Sequence, residues 1–272
     1  MNRPEQPGRL MPIPDVQSGT DERHLAIDQV GIRGLRYPVA FADGSGAAQP
    51  TIVTANVYVA LAEDRKGTHM SRLVMLLEER AAPGAEPLSL AGLDALLLDL
   101  VARLDAPAGR IELAFPFFVR KIAPVSGVAS FLDYEVRIAG ELRDGRISKT
   151  VAVAVPVTSL CPCSKEISEY GAHNQRSTIT ITVRTGEAVE LAELLRIAED
   201  EASSELYGIL KRADEKYVTE RAYDNPRFVE DLVRGVAGKL AADSRFTAYS
   251  VEAENFESIH NHSAYARIAR GM

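Results

Sequence analysis

The chain has 272 residues, 46% apolar and 25% charged, with a net charge of −7 and a pI near 5.4. That composition leaves room for a sizeable core, and its acidity excludes the Lys- and Arg-rich surface on which non-specific nucleic-acid binding rests. No apolar run reaches the ~18 residues of a membrane span, and residues 1–22 are polar without the apolar stretch of a secretory signal, so a reducing, cytoplasmic location is expected.

Residues 1–23 read as a loose arm, poor in aromatic and β-branched side chains. Strands are predicted over 28–41 and 50–63, the second on Thr51, Ile52, Val53, Val57, Tyr58 and Val59. Helices follow over 71–80 and 89–104, where Leu90, Leu93, Leu97, Leu100, Val101 and Leu104 recur at steps of three and four. Two strands come next, over 110–121 and 128–143, the latter alternating through Phe131, Tyr134, Val136 and Ile138. A second series begins with strands over 147–157 and 177–184, where Thr and Ile alternate from Thr178 to Thr182. A helix over 191–206 carries Leu191, Leu194, Leu195, Ala198, Ala202 and Leu206 on one face. Asn225-Pro226 then reads as an N-cap and first-turn proline opening a helix, and strands over 245–254 and 258–269 finish the chain. The order is ββααββ twice, in units 24–144 and 145–272: an α+β architecture of antiparallel sheets with paired helices on one face. Terminal strands left as open edges predict association between chains.

The stretch 158–176 holds both cysteines, Cys161 and Cys163, with His173 close behind. Cysteines one residue apart close only a strained disulfide, which leaves thiolate nucleophile or metal ligand, helped by the imidazole and by Lys165. His69, within Thr68-His69-Met70-Ser71-Arg72, stands at a strand-to-helix junction; His173 precedes a strand, and His260-Asn261-His262 lies near the start of the last one. Element ends are where sites are built, and alternation in an extended segment brings His260 and His262 to one side. A catalytic zinc-like ion takes three protein ligands from thiolate, imidazole and carboxylate. Cys161 or Cys163 with His173 supplies two, and the charged run 212–220 offers a carboxylate, although such a run reads by default as a solvated loop between helices. Glu230 near a helix start is, by default, an acid favourable to the helix dipole. Neither a P-loop nor a GxGxxG after a strand occurs, which disfavours ATP hydrolysis by that route and dinucleotide binding on a doubly wound sheet.

Six segments together, Thr68 to Arg72, Ser159 to Lys165, Tyr170 to Arg176, Asp214 to Glu220, Asn225-Pro226 with Phe228 to Asp231, and Glu254 to His262, resemble the prokaryotic type IB GTP cyclohydrolases of the tunnelling-fold superfamily. The resemblance implies two tandem ββααββ units per subunit and a homotetramer with active sites at subunit interfaces. It also implies conversion of GTP and water to 7,8-dihydroneopterin triphosphate and formate, the start of folate synthesis. By that resemblance one divalent ion, zinc, manganese or iron, is held by Cys161, His173 and Glu215. Glu230 would hold guanine, its two acceptor oxygens matching the N1–H and exocyclic amine donors. By residue type His260, His262 and Cys163 are candidates for proton transfer, and Lys165, Arg176, His69 and Arg72 for the triphosphate. Two rival readings fit the same residues. A thiol-nucleophile enzyme like the nitrile reductases of the same fold would work without metal, and a structural metal module would close a four-ligand site from both cysteines and two histidines.

Overall fold

The computed structural model describes residues 15–17, 19–44, 47–187 and 189–272. Of the arm expected over 1–23, residues 1–14 and 18 lie outside the described residues; nearer the body, Thr20 bridges Arg65 and the Lys66 N–H donates to the Gly19 carbonyl at 3.0 Å.

The elements run β1 (Ile27–Phe41), β2 (Gln49–Leu61), α1 (Met70–Ala81), α2 (Leu93–Leu104), β3 (Gly109–Ile122), β4 (Ala129–Arg143), β5 (Arg146–Leu160), α3 (Pro162–Ile167), β6 (Asn174–Thr185), α4 (Leu191–Glu201), β7 (Ser204–Glu205), α5 (Arg212–Asp224), α6 (Val229–Ala241), β8 (Phe246–Asn255) and β9 (Ala264–Arg270). The long strands form one antiparallel sheet in the order β1-β2-β3-β4-β5-β6-β8-β9, with β7 paired beside the end of β5. The α+β class is thus observed, with a single continuous sheet.

Period-two alternation explains which face is buried. Ala55, Leu113, Ile138, Val151, Val183 and Tyr249 stand abreast across five successive pairings, and all are buried in one core with Leu73, Leu76, Leu77, Leu96, Leu97, Leu194 and Leu232 of the helices. The alternate row, Thr54, Ala114, Arg137, Ala152 and Thr182, faces the other way. Helix α2 sits so close to β4 that a Cβ on Gly140 would meet Leu93 at 2.7 Å. Each buried leucine in this layer contributes on the order of 2 kcal/mol of transfer free energy.

One ionic cluster lies inside this apolar layer. Lys121 on β3 donates to Glu199 of α4 at 2.7 Å and also to Glu205 of β7, while the Tyr134 hydroxyl donates to Glu199 at 2.5 Å. Burial, and then the Glu199 carboxylate beside it, push the Tyr134 phenol well above the ordinary tyrosine value.

Four predicted elements are corrected. The second half carries three elements beyond the expected ββααββ order: α3, β7 and α5. The run 212–220, read as a loop, is helical because Asp214 turns inward and caps α5, accepting the Lys211 N–H at 2.8 Å. Asn225 does not open a helix; it ends α5, its side chain donating to the Ala202 carbonyl at 2.8 Å, and α6 starts at Val229. The helix predicted over 191–206 stops at Glu201, and the last strand starts at Ala264, leaving His260 and His262 in the loop before it.

Candidate active site

Strand β5 ends at Leu160, paired with Asn174 at the start of β6. Cys161 and His173 are therefore the first and last residues of the connection between two antiparallel neighbours. The pairing continues one step past the strands: the Cys161 N–H donates to the His173 carbonyl at 3.1 Å. Ser164 fastens the same closure, its hydroxyl donating to the Cys161 carbonyl at 3.1 Å and accepting the His173 N–H at 3.2 Å. Pro162 fits the first position of α3, where no N–H is needed, and Cys161 caps that helix, its Sγ accepting the Ser164 N–H at 3.5 Å.

Beneath this closure the buried row of the sheet changes from apolar to polar. Ser159, Gln175, Ser177 and Asn255 occupy positions in phase with Val157, Ile179 and Ala253, and all four are buried. Gln175 Nε2 donates to Ser159 Oγ at 2.9 Å, and Ser159 and Ser177 share a hydroxyl bond of 2.7 Å. With its amide nitrogen so engaged, Gln175 presents Oε1 to His173 Nδ1 at 2.9 Å. Nδ1 is then the protonated ring nitrogen, and Nε2 carries the free lone pair.

The opening of α6 lies over the same end of the sheet. The Arg227 N–H donates to the Leu160 carbonyl at 3.0 Å, and Asp231 caps α6 by accepting the Phe228 N–H at 2.9 Å. Between these parts is a hollow of about 280 Å³ whose lining includes Cys161, His173, Gln175, Arg227, Glu230, Asn255, Glu257, His260 and His262. The rings of His260 and His262 are stacked, 5.1 Å between centroids and 17° between planes. Their convergence is a property of the loop, not of strand alternation.

Five of the predicted site residues, Cys161, His173, Glu230, His260 and His262, thus share one hollow. Gln175, Arg227, Asn255 and Glu257 join them without having been singled out. The sequence carried a signal for two of these: Gln175 and Asn255 are polar residues at core-phase positions of strands.

The other predicted residues lie elsewhere in the chain. Cys163 is exposed on α3, and Lys165 donates to the Tyr223 carbonyl with its amine 4.3 Å from the centre of that ring. Arg176 follows Gln175 on β6 and so belongs to the opposite face. Glu215 is exposed on the first turn of α5, about 12 Å along the helix axis from Tyr223. Its neighbour Asp214 is the inward acid, accepting from Val125 N, Ser126 N and Ser126 Oγ at 2.8, 2.8 and 2.6 Å. Burial alone would raise the Asp214 carboxyl, but these donors and the Lys211 N–H hold it well below the usual carboxylate range.

His69 and Arg72 stand at the far end of the sheet. Val59, Gly109, Leu142 and Ile147 are abreast, so the end of β2 that leads to His69 lies at the same end of the sheet as the start of β5, whereas Cys161 follows the other end of β5. A 15-residue strand separates the two by on the order of 45 Å. His69 pairs with Asp15 at 3.3 Å, and Arg72 donates to the Arg103 carbonyl at 2.9 Å.

The donor types at Cys161 and His173 suit a borderline divalent ion, and the tautomer set by Gln175 leaves the correct nitrogen free for one. Among the described residues, no group of three or more His, Cys, Asp or Glu side chains is arranged to hold a metal. No helix of the described residues is long and apolar enough to cross a membrane.

A sequence model of the family described as type I GTP cyclohydrolase folE2 matches residues 13–266. GTP cyclohydrolase FolE2 of Herminiimonas arsenicoxydans is 58% identical over 259 residues, covering 95% of this chain and 97% of that one. The protein of the same name from Methylobacillus flagellatus is 53% identical over 270 residues, covering 99% and 98%. Among solved structures, a uricase from Bacillus fastidious matches with a TM-score of 0.50 at 12% identity, covering 92% of this chain and 94% of that one, a likeness of fold alone.

Proposed function

The chain belongs to the type I GTP cyclohydrolase folE2 family, and from that premise we propose that it acts on GTP in the hollow between the β5–β6 closure and the opening of α6. It is a GTP cyclohydrolase of folate biosynthesis. The reaction in this reading is that of the type IB, tunnelling-fold enzymes: GTP and water give 7,8-dihydroneopterin triphosphate and formate. The observation that carries the placement is the meeting of Cys161, His173 and Glu230 in one hollow.

Glu230 projects from the first turn of α6 and offers two acceptor oxygens to the N1–H and exocyclic amine of guanine. Cys161 and His173 would hold one divalent ion, zinc, manganese or iron; Glu215, the third ligand that the resemblance implies, is exposed on α5 and does not line this hollow. Such an ion would supply Lewis acidity, the chemistry that makes water a nucleophile toward C8 of the purine near neutral pH. Gln175 Oε1, 2.9 Å from His173 Nδ1, would hold the ring proton there and leave Nε2 for the ion. Opening the imidazole ring, releasing formate and closing the pterin ring each need protons moved, and the stacked His260 and His262 are the groups in the hollow suited to carry them. Cys163 lies outside the hollow lining, which supports histidine over thiol for that work.

Of the four cations expected to serve the triphosphate, Lys165 and Arg176 are nearest Cys161 and His173 in sequence, while His69 and Arg72 would reach a triphosphate there only from a neighbouring chain. This supports sites shared between chains, as in the homotetramer that the resemblance implies, in keeping with β1 and β9 standing, among the described residues, at the two ends of the strand order. The test is incubation with GTP and a divalent metal, following formate and the fluorescence of the oxidised pterin. Cys161→Ala should abolish both signals, and undiminished turnover would refute its role.

A further inference from the structure

Two polar atoms of the hollow are left over after its internal hydrogen bonds are assigned. Among the described residues, Oδ1 of Asn255 and Nε of Arg227 are buried without a hydrogen-bond partner. Asn255 is 3% exposed at the end of β8, on the floor of the hollow; Arg227 lies three residues before Glu230, where the chain enters α6. Buried polar atoms are almost always paired, and leaving one unpaired is costly, so a built pocket that strands both a donor and an acceptor is shaped for a ligand that offers one of each.

Guanine presents such a set along one edge: an acceptor at O6, a donor at N1 and two donors on the exocyclic amine. A carboxylate at Glu230 takes N1–H and one amine hydrogen, leaving O6 and the second amine hydrogen. We propose that Arg227 and Asn255 complete the reading of the base, Arg227 Nε–H donating to O6 and Asn255 Oδ1 accepting the second amine hydrogen. The assignment rests on the placement of guanine at Glu230. It makes the pair specificity-determining residues: hypoxanthine leaves Asn255 unpaired, and adenine sets an amine against Arg227 and an unprotonated nitrogen against Glu230.

The experiment uses the full-length, metal-loaded enzyme. The Michaelis constant for GTP is compared with the competition constants of ITP, which lacks the amine, and of 6-thio-GTP, whose sulfur is a weak acceptor. Asn255→Leu should raise the constant for GTP about tenfold and leave that for ITP nearly unchanged, whereas Asn255→Asp, which keeps the acceptor, should preserve the preference. Arg227→Lys, which removes the Nε–H and keeps the charge, should erase the preference for GTP over 6-thio-GTP. Asn255→Ala replaces the leucine variant if that one does not fold. Constants that rise together for all three nucleotides would mean a structural or phosphate-binding role and overturn the proposal. If Glu230→Gln leaves the GTP constant unchanged, the underlying placement of guanine fails instead; if Glu230→Gln raises it while the Asn255 and Arg227 preferences stay as in the parent enzyme, only this inference fails.

Discussion

His173 Nδ1 donates to Gln175 Oε1 at 2.9 Å, and Gln175 is in turn anchored on Ser159 and, through it, on Ser177. One buried amide thus fixes the tautomer and the ring orientation of a proposed metal ligand two residues away.

Gln175→Ala should weaken zinc binding by roughly 10- to 100-fold, the usual effect of losing a partner that orients a ligating histidine. Gln175→Glu, which keeps an acceptor facing Nδ1, should retain most of the affinity. Competition against a chromophoric zinc indicator measures both, and equal affinities for the parent and the alanine variant would remove Gln175 from the metal site.

Residues at opposite ends of the sheet predict complementation between chains. Cys161→Ala and Arg72→Glu should each be nearly inactive on physiological GTP, the second through a raised Michaelis constant. Unfolding and reassembling the two together should restore a fraction of the parent rate, because a mixed assembly contains sites with an intact Cys161 from one chain and an intact Arg72 from another. No recovery in assemblies shown to be mixed would place Arg72 outside the site.

The hydrogen bonds to Asp214 predict a pH signature in stability. Its carboxyl is held below its unfolded value, so its contribution is fully present above the ordinary aspartate pKa of about 3.9 and is lost as pH falls through the lower folded value. Asp214→Asn should therefore melt a few degrees below the parent across pH 5 to 8, and the gap should narrow as the pH drops below about 4. A gap that does not change over that acid range would assign the effect to packing.

Lys121 neutralises two carboxylates in a buried setting. Lys121→Met should cost about 3 kcal/mol in denaturant unfolding, since it removes the ammonium paired with both Glu199 and Glu205. Adding Glu199→Gln to that variant should recover part of the loss, and strict additivity of the two changes would show that the cluster is not coupled.

The strands and the leucine-rich helices were legible because their alternation and three-four spacing state which side is buried. Helix α5 was not, since its stabilising feature is Asp214 reaching the turn at Val125 and Ser126, a contact some ninety positions back along the chain. Asn225-Pro226 misled for a related reason: Asn caps either end of a helix, and only the Ala202 carbonyl decides which. At the site, Cys161 and His173 stood out by residue type, and Glu215, Glu230 and the base-binding role came from resemblance. Gln175 and Asn255 were visible as polar residues in core phase but meant nothing until the floor of the hollow was seen. His69 and Arg72 belong to the motif set, yet their distance from Cys161 follows from strand register, which no local pattern encodes.

The proposed donor pair, Cys161 and His173, sits one step past the last rung of a ladder, so the reach between thiol and imidazole is inherited from the sheet. The stretch that separates them along the chain, with Ile167 83% and Tyr170 97% exposed, is a spacer looped out beyond that rung. Its length and composition can drift without altering the bite presented to an ion, provided that Ser164 keeps its two bonds. A search for such centres by fixed Cys-to-His spacing would therefore overlook them, whereas a search for a cysteine and a histidine bracketing a hairpin closure would find them.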